Sequence, residues 1–353
     1  MNRIILLDLL RFFAALSVVL FHYTFAGYMS NNTIMFDIQY IGSIFQYGSM
    51  GVELFFMVSG FVILLSSENK PILYFVTSRI TRLYPAYWVG VTLTAIVIAI
   101  YGGEKFSVTT YQYLVNLTMI NEMFHVQNID GVYWTLFVEI RFYLLIFLLM
   151  LFRQMKYLKF YLLVWALISI LYHIVTLPSL LNFFLISNVA PFFIAGAVFY
   201  MAYRNNKFSF LDYLILFLSF IASIMYLNKH ISHMSEVFNH QFNMSIIFSI
   251  LISFYFIFFA VSNNVFLINK DKKIYNVMGG VTYPLYLIHS YIGYIIFNNL
   301  YALMNKYVLL LSTVLLMILF SYIIHIFIEK KLGKYMKKQI LQFIDRLAFR
   351  DKH

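Results

Sequence analysis

Residues 9–27 read LLRFFAALSVVLFHYTFAG, an apolar run in which only Arg11 and His22 bring a charge or an imidazole. A helix needs about 20 predominantly apolar residues to cross the hydrocarbon core of a bilayer. Nine further runs of this kind follow, at residues 49–67, 83–101, 133–152, 157–175, 183–203, 209–227, 244–262, 281–299 and 307–328. The sequence therefore predicts an all-α, polytopic membrane bundle of about ten transmembrane helices.

The composition of the chain excludes several other classes of protein. Of its 353 residues, 62% are hydrophobic and 11% are charged, whereas a soluble domain is about half apolar and about a quarter charged. A soluble globule, a disordered chain and a small disulfide-stabilised module are therefore excluded. Because the chain has no cysteine, thiol catalysis is excluded as well.

The distribution of lysine and arginine predicts the orientation in the membrane. With the N-terminus inside, the inside segments carry 20 of the 25 Lys and Arg residues, and the outside segments carry only Lys105, Lys229 and Lys306. Cytoplasmic loops are enriched in these residues, so both termini are predicted to be cytoplasmic, in a multi-pass protein of the cytoplasmic (inner) membrane. The net charge of +11 follows from this bias and requires no nucleic acid as a partner.

Two regions are predicted along the chain. Residues 1–328 form the ten-helix transmembrane domain, and residues 329–353 form a basic amphipathic cytoplasmic tail. In the tail, lysines alternate with apolar residues, a pattern typical of a helix that lies on the inner leaflet.

Arg11 and His22 are the first candidates for a functional site, because ionisable groups at membrane depth are costly. The two residues are eleven positions apart, which places them on one helix face, about 16 Å apart along the axis. Arg11 then lies near the cytoplasmic mouth, and His22 lies beyond the midplane.

Glu53, Glu139 and His289 are predicted at comparable depths in other spans. Counting the helical rise from the span ends places His22 and Glu139 in the outer half of the bilayer, where we expect them to meet. His289 is predicted near the midplane, and a hydrogen-bonded packing role is the alternative for it.

Arg79 and Arg82 are predicted at the inner end of the third span, where ordinary inside charges are the alternative. A cationic pocket at this mouth suits a phosphorylated anion, and a histidine beside a carboxylate suits general-base activation of a hydroxyl. Together these groups predict transfer of a chemical group across the membrane. The same groups equally fit a proton-coupled carrier, so the residues alone leave both functions open.

Five segments of the chain resemble the acyltransferase 3 family of integral-membrane acyltransferases. In chain order they are LLDLLRFFAALSVVLFH (6–22), GVELFFMVSGFVI (51–63), SRITRLYPAYW (78–88), YWTLFVEIRFY (133–143) and TYPLYLIH (282–289). The first contains the family's arginine and histidine eleven residues apart, and the third contains its paired arginines and the following proline. Ile140 and Arg141 depart from the family pattern, which often has a second Glu and a Gln there. The appended extracytoplasmic hydrolase-like domain of some members is expected to be absent.

The resemblance implies roles for the candidate residues. His22 would be the catalytic base, and Glu139 or Glu53 would orient it. The phosphates of the acyl-CoA donor, bound from the cytoplasm, would be held by Arg11, Arg79 and Arg82. The wall of the substrate pocket would include Ser59, Trp134 and His289.

The expected function is O-acylation, most simply O-acetylation from acetyl-CoA, of a hydroxyl on a cell-surface polysaccharide or its lipid-linked precursor. No metal and no permanently bound cofactor is implied. Two alternatives remain: a transporter or exporter of a glycan or small molecule that uses the same buried groups, and a catalytically silent partner subunit of a glycan assembly complex.

Overall fold

A computed structural model of the chain describes residues 4–30, 33–34, 37–265 and 273–350. The prediction of membrane orientation used four basic residues that lie outside the described residues: Arg3, Lys270, Lys272 and Lys352. It also used Arg350, whose side chain is not described. The described residues form helices and no strand, which confirms the all-α class.

Eleven main helices follow one another along the described chain. They are α1 (Ile5–Met29), α2 (Tyr40–Ser67), α3 (Ile72–Tyr101), α4 (Gly131–Leu151), α5 (Met155–Ile174), α6 (Ser179–Asn205), α7 (Phe210–Phe238), α8 (Met244–Ser262), α9 (Lys273–Ile288), α10 (Ser290–Leu300) and α11 (Lys306–Ile344). Nine of these helices, all except α9 and α10, are long and apolar enough over the described residues to cross a membrane. The multi-pass helical bundle is thereby confirmed.

The predicted ninth span, 281–299, is a broken helix instead of a continuous one. Its halves, α9 and α10, have 16 and 11 residues in the described part of the chain, and over those residues neither reaches the length of a membrane span. At the break, the backbone N–H of Tyr291 donates to Oδ2 of Asp130 at 2.8 Å. The carbonyl of Leu287, which a continuous helix would pair with that N–H, accepts instead from the hydroxyl of Tyr133 at 3.0 Å. Side chains from the beginning of α4 and the residue before it thus satisfy both groups that the break releases.

Two other predicted boundaries differ from the structure. Helix α3 begins at Ile72, directly after Pro71, and not near residue 83. Arg79 and Arg82 therefore project from within the helix, about 10 to 15 Å along it from its first residue. At the C-terminal side, α11 does not end near residue 328. It contains a π-helix at His325–Gly333, and its last part belongs to the α-helical segment Lys334–Arg350 that follows this π-helix.

Helices α2 and α6 pack closely against each other through two glycines. A Cβ atom on Gly60 would collide with the backbone carbonyl of Phe193, and one on Gly196 would collide with that of Met57. Small residues let two helix backbones approach closely, which is how membrane helices commonly pack. The side chains of α6 from Phe192 to Val198 are accordingly almost fully buried.

The two ends of the bundle are distinguished by α1: the arginine end, where α1 begins near Arg11, and the histidine end, where α1 ends after His22. The connection between α3 and α4 folds into the histidine end. Asn116 and Asp130 in this connection have no exposed surface, and the Tyr87 hydroxyl donates to the Asn116 carbonyl at 2.8 Å. Helix α4 consequently begins below the rim of the bundle.

Candidate functional site

Three cavities follow one another along α1. The basic cavity, at the arginine end, has a volume of about 540 Å³. The narrow cavity comes next, with about 70 Å³, and the histidine cavity, which His22 lines, has about 760 Å³. The polar lining of the basic cavity includes Asp8, Arg11, Arg79, Arg82, Lys330 and Lys334. The narrow cavity is lined by Arg11, Ser59, Arg79, Arg82, Glu139 and Tyr143, together with apolar residues.

The structure brings the three predicted arginines together. Arg11, Arg79 and Arg82 line both the basic cavity and the narrow cavity. Glu139 is the only carboxylate among the described residues that line the narrow cavity, and it accepts a hydrogen bond from the Ser59 hydroxyl. Three guanidinium groups and one carboxylate leave an excess of positive charge, which favours an anionic ligand.

The expected contact between His22 and Glu139 is not formed. Glu139 lines the narrow cavity with the arginines, whereas the hydrogen-bond partners of the His22 ring among the described residues are Val18 and His289. The predicted depth of Glu139, which was obtained by counting the helical rise from the end of the span, was wrong because it placed the start of α4 at the membrane surface. The buried connection before α4 displaces that start into the bundle, and Glu139 lies more than one helical turn deeper still.

The ring of His22 contacts the ring of His289, which lies 267 positions later in the sequence. Nδ1 of His22 lies 2.9 Å from the carbonyl oxygen of Val18 and 3.1 Å from Nε2 of His289. On the other side of its ring, His289 directs Nδ1 toward the carbonyl oxygens of Tyr286 at 2.8 Å and Leu285 at 3.2 Å.

These contacts select one tautomer for each neutral ring. Carbonyl oxygens only accept, so Nδ1 of His289 carries a proton and its Nε2 is an acceptor. Nδ1 of His22 must then be protonated as well, because it faces the Val18 carbonyl and that acceptor. The lone pair of His22 is therefore on Nε2, which is the protonation state a general base requires.

The local helix geometry supports this pair. A π-helix begins at His22 and runs to Ala26, and such wide turns are frequent at functional sites. The next residue, Tyr23, donates its hydroxyl to the backbone carbonyl of His289 at 2.6 Å. His289 has no exposed surface, so α1 and the break between α9 and α10 are fixed to each other at this point.

Glu53 lies in the histidine cavity but contacts another partner. Its Oε1 atom is 3.4 Å from the hydroxyl of Tyr226, and its buried Oε2 atom has no hydrogen-bond partner among the described residues. Trp134 lines the same cavity. Glu53 and Trp134 are thus available to a ligand beside His22. The contact that orients the His22 ring, which was expected from Glu53, is made by His289 instead.

Val52 and Tyr286 separate the narrow cavity from the histidine cavity, because both residues line both cavities. The Tyr286 hydroxyl is fixed by Oγ1 of Thr135 at 2.8 Å and by the Val132 carbonyl at 3.2 Å. Its backbone carbonyl also accepts from His289. Tyr286 therefore both separates the two cavities and helps to orient His289, the partner of His22.

Asp130 is a structural residue that the sequence reasoning missed. Besides the N–H of Tyr291, it accepts the N–H of Val132 at 3.2 Å. Burial raises the pKa of Asp130 to about 6, while hydrogen bonds from Tyr291, Val132 and the Ser290 side chain oppose this shift. The sequence signal was an aspartate followed by glycine just before an apolar run, a pattern typical of an N-terminal cap.

Comparison with known proteins identifies one family and two relatives. A family model described as an acyltransferase domain matches residues 4–328, a range that includes all five resembling segments. A protein of Acidianus two-tailed virus named "Putative acetyltransferase ORF330" is 29% identical over 227 residues, which is 62% of this chain and 64% of that protein. Nodulation protein 10 of Rhizobium leguminosarum bv. viciae is 29% identical over 160 residues, 39% of this chain and 41% of that protein. The chain thus matches less than two thirds of the length of each relative. No solved structure matches it.

Proposed function

This chain belongs to the acyltransferase 3 family, and from that premise we propose that it is an integral-membrane O-acyltransferase. It moves an acyl group, most simply acetyl, from acyl-CoA to a hydroxyl of a cell-surface polysaccharide or its lipid-linked precursor. The observation that carries the proposal is the meeting of an arginine-lined cavity and a histidine-lined cavity at Val52 and Tyr286.

The donor occupies the two cavities of the arginine end. The basic cavity of about 540 Å³ receives the nucleotide part, where arginine and lysine side chains bind its phosphates by charge-assisted hydrogen bonds. The narrow cavity of about 70 Å³ lies between the basic and histidine cavities and receives the thioester arm. Since lysine and arginine mark cytoplasmic segments, the arginine end faces the cytoplasm of a cell whose inner membrane holds the protein.

The acceptor enters the histidine cavity, where His22 acts as the general base. Nε2 of His22 takes the proton of the acceptor hydroxyl while the hydroxyl oxygen attacks the thioester carbonyl carbon. The carbon–sulfur bond then breaks, and the proton passes to the departing CoA thiolate. His289 keeps the His22 ring in the required tautomer, and Trp134 and Glu53 contact the acceptor.

Transfer of labelled acetyl from acetyl-CoA into surface glycan tests this proposal. His22→Ala is expected to lower transfer by about a hundredfold or more, the usual scale for a general base. His173→Ala, which changes a histidine of α5 that lines none of the three cavities, is the matched control. Full transfer by His22→Ala at a normal protein level would refute the role of His22.

A second candidate function is export of a glycan or small molecule. The broken helix at His289 and the three cavities in series favour it, because discontinuous helices line the substrate sites of many transporters. Proteoliposomes separate the two functions. Release of free CoA from acetyl-CoA identifies the enzyme, whereas flux of a glycan without release of CoA identifies the exporter.

A further inference from the structure

A fourth cavity lies at the arginine end, away from the path just described. It has a volume of about 900 Å³ and is formed by the turns between α2 and α3 and between α4 and α5, together with the end of α6 and the beginning of α7. We name it the turn cavity. It shares no lining residue with the basic, narrow or histidine cavity.

Five cations line the turn cavity, and two of them are already paired. Arg204 forms an ion pair with Glu68, which also accepts a hydrogen bond from Tyr200. Lys159 forms an ion pair with the buried carboxylate of Asp212 at 2.7 Å. These contacts fix the ends of α2, α5, α6 and α7 around the cavity.

The other three cations, Lys70, Arg153 and Lys156, have no carboxylate within salt-bridge distance in the part of the chain that the structure describes. Each lies at the end of a long helix: Lys70 shortly precedes α3, Arg153 follows α4, and Lys156 is in the first turn of α5, Met155–Tyr157. Three positive charges therefore remain unneutralised around one concave surface.

Part of the wall of the turn cavity is apolar. It is formed by Leu64, Ile72, Met150, Leu158, Met201 and Leu211. A site with cations at the helix ends and aliphatic side chains beside the spans matches a molecule that has an anionic head and hydrocarbon chains.

We propose that the turn cavity binds an anionic membrane lipid, with the phosphate of its head group on Lys70, Arg153 and Lys156 and its acyl chains along the apolar wall. Basic pockets between membrane helices bind such head groups in other proteins. CoA carries phosphates too, but it has no hydrocarbon chains to cover the apolar wall. The site is separate from the acyl-transfer path, so the proposal does not depend on the proposed function.

Native mass spectrometry of the purified full-length chain tests the site, with phosphatidylglycerol and phosphatidylcholine titrated separately. The double variant Arg153→Gln/Lys156→Gln removes two of the unpaired cations. The matched control, Lys338→Gln/Arg346→Gln, removes one lysine and one arginine from exposed positions on the helix after the π-helix. Thermal unfolding of both variants verifies that they fold.

Phosphatidylglycerol is expected to bind the parent chain more tightly than phosphatidylcholine does. Its affinity should fall about tenfold in the first double variant and stay unchanged in the control. An equal fall in both variants would overturn the site in favour of a general charge effect. Displacement of phosphatidylglycerol by free CoA from the parent chain would identify a nucleotide site instead and would likewise overturn the proposal.

Discussion

Nε2 of His289 lies 3.1 Å from Nδ1 of His22, although 267 positions separate the two residues in the sequence. This contact and the carbonyl of Val18 together place the proton of His22 on Nδ1. The contact exists because the helix that carries His289 is broken at that residue and is held there by Asp130, Tyr133 and Tyr23.

His289→Phe is expected to lower kcat by about tenfold or more, the scale typical of partners that orient a reactive group. The Michaelis constant for acetyl-CoA should remain unchanged, because His289 lines neither donor cavity. His289→Gln offers an amide oxygen to Nδ1 of His22 and should recover part of kcat. Steady-state kinetics of the three proteins check this, and equal losses in both variants would contradict a positioning role.

Arg79→Gln and Arg82→Gln should each raise the Michaelis constant for acetyl-CoA by about tenfold, the loss expected for one charge-assisted hydrogen bond. The constant for the acceptor should change less. Arg346→Gln, which removes an exposed arginine from the same end of the bundle, is the control. If both constants rose equally, the arginines would serve only to anchor α3.

Tyr286→Ala removes one side of the partition between the narrow and histidine cavities. Water should then reach the thioester more often, so a larger share of CoA should be released without acyl transfer to glycan. Tyr286→Phe keeps the ring and should retain the parent ratio. Parallel assays of CoA release and glycan labelling measure this share.

Gly196→Ala should destabilise the bundle by about 1–3 kcal/mol, because its Cβ would collide with the Met57 carbonyl. Gly103→Asn is a suitable control, since Gly103 has a φ of +59° with no atom within 4 Å of a Cβ, and asparagine tolerates that conformation. Thermal unfolding in detergent distinguishes the two. An unchanged midpoint for Gly196→Ala would mean that α2 and α6 can separate at little cost.

The pH dependence of stability should report on Asp130. Its pKa in the folded chain is about 6, above its ordinary value of 3.8. The protonated form is thus favoured by folding, and its contribution is complete below about pH 4 and is lost as the pH rises through about 6. Asp130→Asn cannot ionise, so its melting temperature should fall less between pH 4 and pH 7 than that of the parent. Parallel curves for the two proteins would refute this assignment.

The helical bundle and the proximity of Arg79 to Arg82 were predictable from sequence because both depend on local patterns. Apolar runs of membrane length define the spans, and Arg79 and Arg82 are close in the sequence. The shared face of Arg11 and His22 likewise follows from helical periodicity alone.

The partners of these groups could not be predicted, because they depend on depth and on long-range contacts. Glu139 lies with the arginines since a buried connection displaces the start of α4. The break at His289 needs Asp130 and Tyr133, which are more than 150 positions away, and no pattern around His289 alone indicates them.

The basic and histidine cavities lie at opposite ends of the bundle, and this arrangement has a kinetic consequence. If acyl-CoA and the acceptor bind as proposed, neither substrate would block the route of the other, and both could be present at once in a ternary complex with no compulsory order of addition. Under the proposed chemistry, initial-rate lines in double-reciprocal plots would intersect instead of running parallel.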